Sequence, residues 1–295
     1  MALVFPKLHT RLIRRLPGAE CVCAHELVAF AYFSLMAVLG VARALPAGQQ
    51  ALLLAAPVVL GALWVTEEAN TRAWSRVTRE WVSLGVLLGA YWTLQVFAST
   101  YSWDWQRTWV GWDRWLLDGL GLKSVLEATG QPVPFALEAL YLLLYAIPPA
   151  SMGALYLCGE RRKTGKYLLV LYLGTLTAYA LLPFIPVASP RAAFPGLDVP
   201  TFHSWPRSVN LWLLDHLDIS TSVFPSGHVA VAFSSAFGLL SAVPGRPRMW
   251  IPAFVAAVLV YIATIYGRYH YAVDGLASIA ITTVAWRVAE RVGIE

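Results

Sequence analysis

Arg191, His228, His270 and Asp274 are polar side chains in a chain otherwise rich in apolar residues. His228 ends the run Pro225-Ser226-Gly227-His228 and leads straight into an apolar stretch that begins at Val229. A proline suits the first turn of a helix, because it lacks an N–H that would find no partner there. On that reading Ser226, Gly227 and His228 follow in the first turn, where free backbone N–H groups and the positive end of the helix dipole attract an anion. Gly227 lets a bulky anion approach the backbone closely. His270 and Asp274 are four residues apart, so on a helix they share one face, and the carboxylate can hold an imidazole N–H and fix its tautomer. Arg191, flanked by Pro190 and Pro195, offers a planar fork of donors to phosphate oxygens. Each of these features alone has a structural explanation: a cap, a chance His-x-x-x-Asp pair, a solvated loop arginine. Together, in this order and on one face of a membrane, they read as an oriented imidazole and a second histidine beside a cradle for phosphate.

The elements that must position these groups are membrane helices. Of the 295 residues 58% are hydrophobic and 13% charged, and mean hydropathy is +0.59, a balance that makes lipid the solvent. Apolar runs near the length needed to cross about 30 Å of hydrocarbon recur throughout. They lie near 27–41, 50–65, 81–99, 135–158, 167–187, 224–243, 250–266 and 270–288. The fold expected is an all-α, polytopic bundle of about six to eight transmembrane helices. A segment 1–100 of accessory helices precedes a catalytic segment 101–295. No internal repeat or appended soluble domain is evident, and the first apolar run reads as an anchor rather than a cleaved leader.

Charge sets the orientation. With the N-terminus in the cytoplasm, Lys7, Arg11, Arg14, Arg15, Arg72, Arg76, Arg79, Arg161, Arg162, Lys163, Lys166, Arg246, Arg248, Arg287 and Arg291 fall inside. These are 15 of the 22 Lys and Arg, so both termini are expected there. Parity then places Arg191, His228, Arg268, His270 and Asp274 together on the outer face. The net charge of +5 is spread over loops rather than one soluble face, which argues against a nucleic-acid partner. Cys21, Cys23 and Cys158 fall at cytoplasmic helix ends as ordinary thiols, lipidation near Cys21 being a lesser alternative, and their spacing makes no zinc pattern. In Tyr101–Leu120, Trp105, Trp109 and Trp112 recur at i, i+4, i+7, with Trp115 near that face. This reads as an amphipathic helix on the outer leaflet, more simply an aromatic belt than a lipid gate. His203 and Trp205 read as loop packing, and Pro148, Pro149 and Pro183 as helix kinks.

The Pro-Ser-Gly-His run, followed after one helix pair by His270-Tyr-Ala-Val-Asp274 and preceded by Arg191, resembles the type 2 phosphatidic acid phosphatase superfamily over roughly 109–295. The resemblance implies that His270 takes the phosphoryl group, Asp274 orients it and His228 protonates the leaving oxygen. It implies phosphate binding by Arg191, Ser226 and Gly227, no metal and no cofactor. Phe184 stands where the common first motif has a lysine, and Thr264 where the usual third motif has an arginine. That leaves Arg268 as a further candidate for the phosphate set. Ser189-Pro190-Arg191, the His270-Tyr271 pair and Leu140–Pro149 look more like the branch containing inositol-phosphoryl-ceramide synthases. The expected partners are the bilayer, a phospholipid or isoprenoid phosphate, and a polar alcohol acceptor. A lipid phosphatase using water, and a non-enzymatic transporter or scaffold, stay open as alternatives.

Overall fold

The computed structural model describes residues 23–67 and 73–292. Lys7, Arg11, Arg14, Arg15, Cys21 and Arg72, on which the charge and lipidation expectations partly rest, lie outside the described residues, as does the Arg76 side chain. All regular structure among the described residues is helical. Helices α1 (Ala24–Ala42), α2 (Ala47–Glu67) and α3 (Ala73–Trp92) come first, and the interfacial helix α4 (Trp103–Arg114) follows. Next come α5 (Leu122–Glu127), α6 (Pro132–Leu143), α7 (Ile147–Leu157) and α8 (Thr164–Leu181). The chain continues through α9 (Pro190–Ala193), α10 (Trp205–Leu217), α11 (Gly227–Ala242), α12 (Pro247–Tyr266) and α13 (Ala272–Val292).

Among the described residues five stretches are long and apolar enough to cross a bilayer: Ala24–Ala42, Pro132–Leu157, Arg161–Phe184, Pro247–Tyr266 and Ala272–Arg291. Ala47–Gly61 and Gly227–Ala242 are shorter apolar helices. The expected run 81–99 is not among these. Its helix starts earlier, at Ala73, carries Arg76, Arg79 and Glu80, and gives way to a 3-10 turn at Thr93. Pro148 and Pro149 open the first turn of α7 after a short 3-10 link, so the span Pro132–Leu157 is jointed where prolines remove N–H donors. Pro183 lies in the 3-10 turn that ends α8.

Helix α8 runs through the middle, 72% of its apolar window buried, with α1, α3, α11 and α13 packed around it. Its sequence is apolar nearly all round, as a helix enclosed by others requires. Gly174 permits the closest approach: a Cβ there would stand 2.2 Å from Ser234 Oγ on α11. Small residues at helix contacts of this kind let backbones meet where the hydrophobic effect gives no help.

The bundle has two polar ends. At one, Arg246 bonds Glu160 at 2.6 Å, joining the loops after α7 and α11. At the other, the loops before α9, α11 and α13 converge. Val223 N–H donates to Val187 O at 2.9 Å, Arg191 N–H to Arg268 O at 3.1 Å, and Ser226 N–H to Asp274 O at 3.1 Å.

Candidate active site

Three loops and the interfacial helix make the site. Helix α11 begins two residues later than the proline rule suggests: Ser226 is its N-cap, its Oγ accepting the Val229 N–H at 3.3 Å. Pro225 therefore precedes the helix, and Gly227 and His228 are its first two residues. The serine hydroxyl outcompetes the proline as a start signal because it satisfies an otherwise unpartnered donor. Gly227 faces Tyr179 of α8, whose ring carbon would lie 2.9 Å from any Cβ added there.

Helix α12 ends in a Schellman turn. Tyr269 N–H donates to Thr264 O at 3.0 Å and Arg268 N–H to Ile265 O at 3.1 Å. The left-handed position of such a turn usually holds glycine. Here it holds Arg268, with φ 63°. The side chain accounts for this: Arg268 Nη1 lies 2.8 Å from Asp113 Oδ2 on α4, and both residues are 1% exposed. Arg268 is thus committed to Asp113 rather than turned to the histidines. The other Asp113 oxygen accepts the Ala272 N–H at 2.9 Å, and Asp274 Oδ2 accepts the Tyr271 N–H at 2.9 Å. Between them they satisfy the first donors of α13.

This places His270 at the meeting point. Its Nδ1 is 3.0 Å from Val223 O and 3.3 Å from Asp274 Oδ2. Both partners accept, so Nδ1 carries the proton and Nε2 carries the lone pair. That lone pair faces His228 Nδ1 at 3.0 Å, which must then be the donor. His228 Nε2 lies 3.2 Å from the Tyr145 hydroxyl and 3.4 Å from that of Tyr141. A hydroxyl can donate or accept, so Nε2 keeps a partner whether or not His228 takes a second proton. Burial lowers the His270 pKa to about 4; the Asp218 charge and the Val223 carbonyl pull it up, and Arg191 adds to the lowering.

Arg191, in the short helix α9, extends Nη1 to Asp215 Oδ1 at 2.9 Å, with Nη2 4.0 Å from Asp218 Oδ2. The structure therefore brings Arg191, Ser226, Gly227, His228, His270 and Asp274 to one end of the bundle. His203 is exposed in the loop before α10, and Trp205 meets Phe135 at 6.1 Å between ring centres.

The expected tryptophan face is corrected at one position. Trp105 and Trp112 are each 54% exposed, but Trp109 is 4% exposed and points inward with Asp113. Its ring lies 4.9 Å from that of Phe224 and 5.9 Å from that of Tyr271, touching the loops of both histidines. A moment taken over i, i+4, i+7 cannot separate the lipid-facing side of such a helix from its protein-facing side, because tryptophan serves both.

Tyr141, Tyr145, Asp113, Asp215 and Asp218 escaped the sequence reading. Tyr141 and Tyr145 did carry a signal: they are four apart, hence on one face, within Leu140–Pro149. The aspartates carried none, since each partner is distant in sequence. An apolar cavity of about 410 Å³ opens beside His228 and Gly227, walled by Leu84 and Leu88 of α3, Tyr145, Tyr179 and Leu213.

Residues 107–288 match the family model described as the PAP2 superfamily. A segment of 59 residues, 20% of this chain, is 48% identical to the PA-phosphatase related-family protein of Dictyostelium discoideum. The match spans 10% of that relative's length. No solved structure matches the chain.

Proposed function

The chain belongs to the PAP2 superfamily, and on that premise we propose that it transfers a phosphoryl or phospho-head group from a membrane lipid, through a phosphohistidine on His270, to an alcohol. The observation that carries this is the pairing of His270 Nε2 with His228 Nδ1 at 3.0 Å while His270 Nδ1 is held by two acceptors. It gives one imidazole a free lone pair and the other a proton to deliver.

In the first half-reaction the phosphate enters between the two rings, His270 Nε2 bonds to phosphorus and the bond to the leaving oxygen breaks. Protonated His228 gives its proton to that oxygen. The phosphorylated ring becomes cationic, and Asp274 with the Val223 carbonyl offsets the new charge. Arg191, Gly227 and the N-terminus of α11 stabilise the equatorial oxygens, with Ser226 shaping the turn. In the second half an acceptor hydroxyl loses its proton to His228 and attacks phosphorus, restoring neutral His270. No step requires a metal ion. The apolar cavity beside His228 takes the lipid chain, and α4 lies at the bilayer surface. The charge bias supports a site on the extracytoplasmic side with both termini cytoplasmic. The inositolphosphotransferase-like form of the reaction is favoured by Phe184 and Thr264, which leave two cations out of the site and so suit a phosphodiester.

The relative's name favours a second reading, hydrolysis of a lipid phosphate with water as acceptor. Product analysis separates the two: purified protein with phospholipids and isoprenoid phosphates, with and without alcohols, is scored for inorganic phosphate and new phospholipid. Brief reaction with a lipid labelled in its phosphate should leave acid-labile label on the wild type and none on His270→Ala. Normal turnover by His270→Ala would overturn the mechanism and revive a transporter or scaffold.

A further inference from the structure

The arginine assigned to phosphate has two carboxylates for neighbours. Asp215 Oδ1 is 2.9 Å from Arg191 Nη1, and Asp218 Oδ2 is 4.0 Å from Nη2. A site built to gather a highly charged anion would leave its cation uncompensated. This one offers two negative charges against one positive.

Both carboxylates are held in place. Asp215 rides on α10, and α10 is pinned to α6 from beneath. Arg207 donates to Glu138 Oε1 at 2.7 Å, and Asn210 to Glu138 Oε2 at 2.8 Å, all three residues being buried. Tyr269, next to His270, donates to Glu138 Oε2 at 2.6 Å, so the helix bearing Asp215 and the loop bearing His270 share one anchor. Asp218 accepts from the Tyr91 hydroxyl on α3 and from the Ile219 N–H at 3.0 Å. Its charge is felt at His270, together with that of Arg191. Arg268, whose carbonyl accepts the Arg191 N–H, offers no relief, because it is paired with Asp113.

Resting on the phosphoryl-transfer reading, we infer that Asp215 and Asp218 are specificity-determining residues that discharge Arg191 and so select a monoanionic phosphodiester lipid over a dianionic phosphomonoester. Repulsion from the two carboxylates acts twice on a dianion and once on a monoanion, while the single guanidinium can offset only part of it. The same carboxylates keep Arg191 paired when no phosphate is bound, so the cation is never left without a partner.

The test compares kcat/KM for two lipids with identical acyl chains in one detergent at pH 8. One is a phosphodiester with an uncharged polyol head group, the other the phosphomonoester. Asp215→Asn and Asp218→Asn keep the shape of each side chain and remove its charge. Asp215 has a 61% exposed side chain, so its replacement leaves the core alone. In Asp218→Asn the remaining oxygen still accepts from Tyr91. Both substrates use the same two histidines, so any loss of proton-transfer efficiency cancels in the ratio. Each variant should shift the diester-to-monoester ratio toward the monoester by roughly tenfold, as expected for one unit charge about 6 Å away at an effective dielectric near 40, between the usual near-surface value and that of water. Active variants whose ratio stays within about twofold of wild type would overturn the inference and leave the transfer reading standing. A wild type that prefers the monoester, with variants that prefer it still more, would uphold the role of the carboxylates and overturn the diester reading instead.

Discussion

Asp113 and Arg268 form a buried ion pair on which the His270 loop depends, and breaking it should be costly in an asymmetric way. In Asp113→Asn the amide still accepts the Ala272 N–H, but the Arg268 guanidinium remains charged, since it cannot give up its proton. Its Nε and Nη2 have no hydrogen-bond partner among the described residues, so the cation loses its one side-chain hydrogen bond to a carboxylate there. Loss of one partner from a buried pair costs about 3–5 kcal/mol. At roughly 2–4 °C per kcal/mol for a chain of this order of size, the unfolding midpoint in detergent should fall by about 6–20 °C. Arg268→Met leaves the carboxyl instead, and that group can neutralise itself. Burial already raises the Asp113 pKa, and Arg268 is the leading influence holding it down. Arg268→Met should therefore cost roughly half as much as Asp113→Asn, and less still as the pH falls and Asp113 takes up a proton. The double variant Asp113→Asn/Arg268→Met should be more stable than Asp113→Asn alone, which requires a coupling larger than the cost of Arg268→Met, about 3 kcal/mol in a thermal double-mutant cycle. Strictly additive losses, or a cost below about 1 kcal/mol for Asp113→Asn, would refute the claim that this pair holds the loop.

The remaining expectations concern chemistry, packing and orientation. Asp274→Asn should retain slow turnover, at about 1% of wild type or below, because it orients His270 without bonding to phosphorus; wild-type kcat would remove that role. The lowered His270 pKa, about 4 through burial, keeps the nucleophile neutral on mild acidification. For a phosphodiester, kcat/KM should lose no more than about twofold between pH 7 and 5.5, where an ordinary imidazole would be roughly nine-tenths protonated. The linked stability is complete above the unfolded value near 6.5 and drains away as the pH falls toward 4, so an acid limb of activity centred on 6.5 would contradict the burial argument. Gly227→Ala must push its Cβ against Tyr179 and should cost about 1–3 kcal/mol, read as a lower melting midpoint that Gly227→Ala/Tyr179→Leu partly restores. Cysteines introduced at Ala193 and Ser204 should react with impermeant reagents from outside and one at Thr164 should not; the reverse pattern would place the site in the cytoplasm.

What could be read from the chain alone followed the range of the signal. His270 and Asp274 are four residues apart, and the geometry between them is that of one helical turn and the loop before it. The Ser226 cap is equally local, though its competition with Pro225 shifted the helix start by two residues. The convergence of the loops at 191, 228 and 270 followed from parity, a property of counting spans. It survived the loss of the 81–99 run as a simple span because that run lies well upstream. The Asp113–Arg268 pair joins residues 155 apart, and the Glu138 anchor joins α6 to α10 and to the loop after α12. Such contacts depend on how helices rotate about their axes, which hydrophobic periodicity leaves loose when nearly every face is apolar. Trp109 illustrates it: its chemistry is that of its exposed neighbours, and only its position over Phe224 and Tyr271 distinguishes it.

The cavity beside His228 is lined from inside and outside the stretch that matches the family. Tyr145, Tyr179 and Leu213 fall within residues 107–288, the stretch shared with the family, whereas Leu84, Leu88 and Tyr91 come from α3, upstream of it. None of the proposed proton donors, acceptors or phosphate ligands lies on α3. If the proposed reaction holds, substitutions in this α3 wall would alter the fit of a lipid chain without replacing any residue assigned to the chemistry. Chain length and chemistry become separate traits in such a molecule, and the former is free to follow whatever lipid a given membrane supplies.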